Sequence, residues 1–219
     1  SVYTVGEIGL DNLMRMKLMS RSDFENSIGC GLKKRNILFT YHPETTQDIT
    51  KTETDFSKIL LSLDRLEDTL LIFTKANADV GGRLINKMID EYIAQNKDRA
   101  ICFASLGQLR YLSALKYVDA VVGNSSSGIV EAPSFKIATI NIGNRQRGRI
   151  RASSILDVDV NEDKIFNAIQ RIYTSEFREI LKDTTNPYGQ GNSSHKVVHV
   201  LKQVDLSSLK MKRFYDIQF

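Results

Sequence analysis

Along the chain, short and almost unbroken apolar runs alternate with longer segments whose apolar residues recur every three or four positions. The runs NILFTY (36–41), TLLIFT (69–74), AICFA (100–104), DAVVG (119–123) and ATINIG (138–143) have the length and side chains of buried strands, and SILDV (154–158) is a weaker sixth. Residues 55–66, 81–96, 106–117, 162–175 and 193–204 carry helical spacing, and 128–135 fits a short helix holding Pro133. Ahead of the alternation, DNLMRMKLMSR (11–21) predicts one helix with Asp11 as its cap, followed by a polar stretch with room for one more turn.

Strands that are apolar throughout and separated by helices imply a parallel sheet covered on both faces, a doubly wound, Rossmann-like α/β domain. The expected organisation is a helical segment and hinge over 1–35, the Rossmann-like domain over 36–204, and a mixed basic and aromatic tail over 205–219. That tail would pack back on the domain or on a neighbour. Neither an internal repeat nor a low-complexity tract interrupts this pattern.

In such a sheet, ligands bind beyond the carboxyl ends of the strands. Each unusual polar motif falls at such an end: HPETT (42–46), KANADVGG (75–82), SLG (105–107), GNSSSG (123–128) and GNRQRGR (143–149). Five loops on one rim predict a site there.

GNSSSG joins a strand to a helix, where backbone N–H groups suit an anion. Ser125 and Ser126 add hydroxyls, and Gly128 would let the turn approach a ligand closely; plain capping by serine is the alternative. The spacing is neither a phosphate-binding GK[ST] loop nor GxGxxG. Glu131 would repel a phosphate, so it reads either as a partner of sugar hydroxyls or as an ordinary acid in a first helical turn. Arg145, Arg147 and Arg149 stand at alternate positions, which in an extended segment would point them to one side as a phosphate clamp; a solvated basic loop is the alternative. His42, held extended by Pro43, can contact phosphate or move a proton. Asp79 reads as a helix cap, and Asn77 could face the site.

Composition narrows this further. Of 219 residues, 42% are apolar and 26% charged, a balance suited to one soluble globular body. The net charge of +4 does not by itself imply nucleic acid, and no RNA-type aromatic or GxxG motif accompanies the arginines. Cys30 and Cys102 form no CxxC pair, which fits a reducing, cytoplasmic setting. No stretch reads as a membrane span or signal peptide. His195 and His199 stand four apart, but no HExxH glutamate or cysteine pair joins them, so no metal site is expected.

Taken together, YHPETT, FTKANADVGGR, GNSSSGIVEAPSF, NIGNRQRGRIR and KRFYDI resemble the UDP-N-acetylglucosamine 2-epimerases, specifically their hydrolysing branch. The resemblance runs from VGEIGLDNL onward and covers only the carboxy-terminal half of the family's two-domain GT-B fold, the half that holds the nucleotide. It implies conversion of UDP-N-acetylglucosamine and water to N-acetylmannosamine and UDP, as in sialic acid synthesis. A UDP-2,4-diacetamido sugar is the alternative substrate. A GT-B glycosyltransferase, a nucleotide-binding module without catalysis and an RNA-binding domain are the competing readings.

Residue by residue, the resemblance assigns His42 to catalysis and nucleotide contact. It assigns Asn77, Ser125, Ser126, Gly128, Glu131 and Arg145 to UDP, with Glu131 on the ribose. It implies no metal and no cofactor. The implied partners are the UDP-sugar, an amino-terminal domain of the same protein and a possible second copy, with neither nucleic acid nor membrane. By the same resemblance, this half alone would bind without turning substrate over.

Overall fold

The computed structural model describes residues 2–44, 48–77 and 80–204. Six parallel strands form one sheet: β1 (Arg35–Thr40), β2 (Thr69–Thr74), β3 (Ala100–Phe103), β4 (Ala120–Gly123), β5 (Ala138–Ile142) and β6 (Ile155–Val158). Their order across the sheet is β3-β2-β1-β4-β5-β6, so the winding reverses between β1 and β4. That is the doubly wound order whose crevice lies at the reversal. Every residue of β2, β4 and β5 is buried, as a sheet covered on both faces requires.

Helices α3 (Ile49–Asp64), α4 (Val80–Gln95), α5 (Gly107–Leu115), α6 (Ser126–Val130) and α7 (Glu162–Arg171) follow the strands. A 3-10 turn (Ala132–Phe135) continues from α6 where Pro133 ends regular α-helix. The aromatic centre of the core is Phe39, whose ring lies 5.0 Å from Phe73 and 6.2 Å from Phe56 between centroids.

The chain forms two compact units, one from residues 16–188 and one pairing the amino-terminal segment to Arg15 with the segment from Gly189 onward. In the smaller unit, α1 (Gly9–Arg15) meets α9 (Ser193–Gln203). Asp11 does not cap its own helix, as the sequence suggested. Its carboxylate accepts the N–H groups of Ser193 and Ser194, both at 2.8 Å, and the Ser194 hydroxyl. It therefore caps α9, whose own preceding residue, Asn192, makes no side-chain cap. These bonds, with the Ser194 hydroxyl foremost, lower the Asp11 pKa to about 2.

The helix expected over 11–21 is broken. Residues 16–20 are irregular, and α2 (Arg21–Ile28) starts afresh with Ser20 accepting from the Asp23 N–H. Tertiary partners claim the intervening backbone: Met19 N–H donates to Ser113 Oγ at 3.0 Å, and the Tyr117 hydroxyl donates to Met19 C=O at 2.8 Å. The expected 162–175 helix likewise stops at Arg171, and Thr174 caps a further helix, α8 (Ser175–Asp183). Asp79, Thr45 and Thr46 of the loop motifs and the tail 205–219 lie outside the described residues.

Candidate nucleotide site

The β1/β4 reversal places His42 and Ser125 side by side in the topology, because Thr40 and Gly123 are register partners at the ends of those strands. The strands come close enough there for a side chain on Gly123 to be impossible. Its φ is +131°, and a Cβ would lie 1.9 Å from the Thr40 carbonyl oxygen.

The next residue, Asn124, is fully buried and joins three loops. Its Oδ1 accepts the His42 N–H at 2.8 Å, and its Nδ2 donates to His42 C=O at 2.8 Å. Its own carbonyl accepts Arg145 Nη1 at 3.1 Å and Gln146 Nε2 at 2.8 Å. His42 from the β1 end, the serine turn from the β4 end and Arg145 from the β5 end are thereby fixed about one residue. A second link comes from Glu44, whose Oε1 accepts the Asn144 N–H at 3.0 Å.

The β2 loop is held in the same manner. Asn86 on α4 accepts the Ala76 N–H at 2.8 Å and donates to its carbonyl at 3.2 Å. The Asn77 N–H then donates to His42 Nδ1 at 3.3 Å. A neutral imidazole accepting at Nδ1 carries its proton on Nε2, so the bond selects a tautomer. Gly82 permits this approach, since a Cβ there would lie 1.9 Å from the Asn77 carbonyl oxygen.

In the serine turn, Ser125 caps α6 by accepting the Ser127 N–H at 3.4 Å. Ser126, the first helical residue, is exposed, and Glu131 is partly exposed at the helix end. Gly128 differs from its sequence reading. It is buried, its N–H goes to Ser125 C=O, and its missing side chain faces the core, where a Cβ would meet Thr139 Cγ2 at 2.7 Å. The close approach it allows is of helix to strand, and Thr139 Oγ1 completes it by donating to Gly128 C=O at 2.7 Å.

The arginine ladder also differs. Residues 145–148 form turns, with Arg147 N–H bonded to Asn144 C=O and Arg149 N–H to Gln146 C=O, and Gly148 has φ +85°. The alternation of an extended segment is lost. Arg145 is directed to Asn124, whereas Arg147 lines a separate cleft with residues of β6 and α7. The residues that sequence reasoning passed over are Asn86, Asn124 and Gln146. Each is an uncharged amide whose role lies in clamping backbone.

What these loops share is a cluster of donors, a histidine and an arginine, at the crevice where this topology binds nucleotides. A family model described as UDP-N-acetylglucosamine 2-epimerase matches residues 1–202. The chain belongs to that family. It is 38% identical over 217 residues to the Campylobacter jejuni GDP/UDP-N,N'-diacetylbacillosamine 2-epimerase (hydrolyzing), covering 99% of this chain and 56% of that protein. It is 34% identical to the Escherichia coli polysialic acid biosynthesis protein P7, covering 99% and 55%. The chain therefore spans little more than half the length of these relatives. Among solved structures, the S. aureus MnaA protein, determined with UDP, superimposes with a TM-score of 0.69 at 18% identity, covering 98% of this chain and 57% of that one. Among the described residues, no group of three or more His, Cys, Asp and Glu is placed to hold a metal, and no helix is long and apolar enough to cross a membrane.

Proposed function

We propose that this chain is the UDP-holding half of a hydrolysing UDP-sugar 2-epimerase and acts together with an amino-terminal domain of a GT-B fold. The supporting observation is the gathering of His42, the serine turn and Arg145 around Asn124 at the topological switch point. In this reading the Ser126 end of α6 and Arg145 receive the diphosphate, where donors and a guanidinium stabilise charge on departing UDP. Glu131 accepts from the ribose hydroxyls. His42, in the tautomer set by Asn77, donates from Nε2 toward the nucleotide.

The reaction removes the proton at C2 of the sugar and expels UDP from C1, giving a 2-acetamidoglucal. Water then adds across the double bond with inversion at C2. The groups that handle the C2 proton belong to the amino-terminal domain. We take the sugar to be UDP-N-acetylglucosamine, giving N-acetylmannosamine for sialic-acid-type synthesis in the cytoplasm. The relationship to the C. jejuni enzyme, whose name specifies a diacetamido sugar, favours a second reading, with the UDP-2,4-diacetamido sugar as substrate.

Supplying the intact protein with each sugar nucleotide and following UDP release tests the assignment. Turnover of one, abolished by His42→Ala, supports the reading and selects the sugar. Release from neither contradicts it.

A further inference from the structure

The turn that directs Arg145 to the switch point presents Arg147 to a different place. Beyond the ends of β5 and β6, against α7, lies a cleft of about 640 Å³. That volume is typical of small-molecule sites. Its charged lining comprises Arg147, Arg151, Lys164 and Arg171 against Asp157 and Asp159, an excess of two positive charges.

The carboxylates are already engaged. Arg151 Nε pairs with Asp157 at 3.0 Å, and Lys164 Nζ pairs with Asp159 at 2.5 Å. Arg151 is further fixed by donating to the carbonyls of Arg149 and Gln146, at 2.7 and 2.9 Å. Among the described residues, Arg147 and Arg171 have no carboxylate partner, so the excess charge resides on two guanidiniums in one cleft. Asn144 and Asn167 add amides that suit hydroxyl groups, and Leu156 and Val158 give it an apolar floor.

We propose that this cleft is a second ligand site, which takes a small polyhydroxylated compound bearing one phosphate or carboxylate. Guanidinium forks bind either oxyanion in the same bidentate way, and the amides and apolar floor suit a sugar ring. The cleft is separate from the β1/β4 crevice and shares with it only the 143–149 turn. The proposal stands whether or not UDP binds at the switch point.

Calorimetric titration of the intact protein with glucose 6-phosphate, glucuronate and uncharged glucose tests it, each with and without saturating UDP. The expected result is saturable binding of one or both anions, none of glucose, and persistence with UDP and in His42→Ala. The Arg147→Ala and Arg171→Ala variants, both at exposed positions, should each weaken binding about tenfold. The stronger of the two anions identifies the oxyanion. Binding of neither anion, or affinity unchanged in both arginine variants, overturns the proposal. So does loss of binding on adding UDP, which would assign the anion to the nucleotide crevice.

Discussion

The side-chain amide of Asn124 bonds both backbone groups of His42, and the Asn124 carbonyl holds Arg145 and Gln146. One buried residue thus sets the spacing of three loops that come from three strands. Removing its side chain leaves the His42 N–H and C=O without these partners, at a cost of about 1–3 kcal/mol for each group that stays dry. Asn124→Ala should therefore lose about 2–4 kcal/mol of stability in chemical denaturation. Asn124→Asp keeps the acceptor for the His42 N–H but sets a buried carboxylate oxygen against the His42 carbonyl, so it should be at least as destabilising as Asn124→Ala near neutral pH. Equal stability of all three proteins would exclude the clamp.

Gly128 and Thr139 give a packing prediction that separates structure from ligand contact. A methyl group at 128 meets Thr139 Cγ2 at 2.7 Å, so Gly128→Ala should cost about 1–3 kcal/mol as an overpacked core does. Thr139→Ser removes that methyl and keeps the hydroxyl that bonds Gly128 C=O. The double variant should recover most of the loss in a double-mutant cycle. Additive effects would place the origin elsewhere.

Asp11 makes the smaller unit acid-sensitive. Its pKa is held near 2 against an ordinary value of 3.8, so the folded unit favours the carboxylate. The stabilisation is complete above about pH 4 and is lost as pH falls toward 2. Protection of the α9 amides, taken relative to their intrinsic exchange at each pH, should fall over that interval in the wild type. Asp11→Asn should exchange faster at neutral pH and lose the acid step, and an identical pH course in both would refute the linkage.

Cys102 should be a slow thiol. Burial pushes its pKa up to about 11, opposed by the nearby Lys75 ammonium. At pH 8 only about one thiol in a thousand is then ionised, and alkylation should run roughly a hundredfold slower than for a free cysteine. Lys75→Ala should slow it further. Reaction at the free-cysteine rate would contradict this placement.

The sheet was legible because its strands are apolar on both faces: β2 was delimited to the residue, and β1, β4 and β5 to within one at either end. The breaks near Met19 and Arg171 were less so, because distant partners and a local Thr174 cap decide them. The rim was readable from where its odd residues fall relative to the strands. Its internal order was not. Alternation of arginines predicts one face only for extended backbone, and the turns at 145–148 send Arg145 and Arg147 apart. Asn86 and Asn124 carry no charge and no motif spacing of their own, so their role emerges only when the backbone they bind is in place.

The measurement that bears most directly on the nucleotide site is calorimetric titration of the intact protein with UDP, with ADP for comparison and Arg145→Ala as the variant. Saturable UDP binding, weaker for ADP and reduced at least tenfold in the variant, is the predicted result. An intact protein that does not bind UDP, or binds it equally well without Arg145, would contradict the assignment of this crevice.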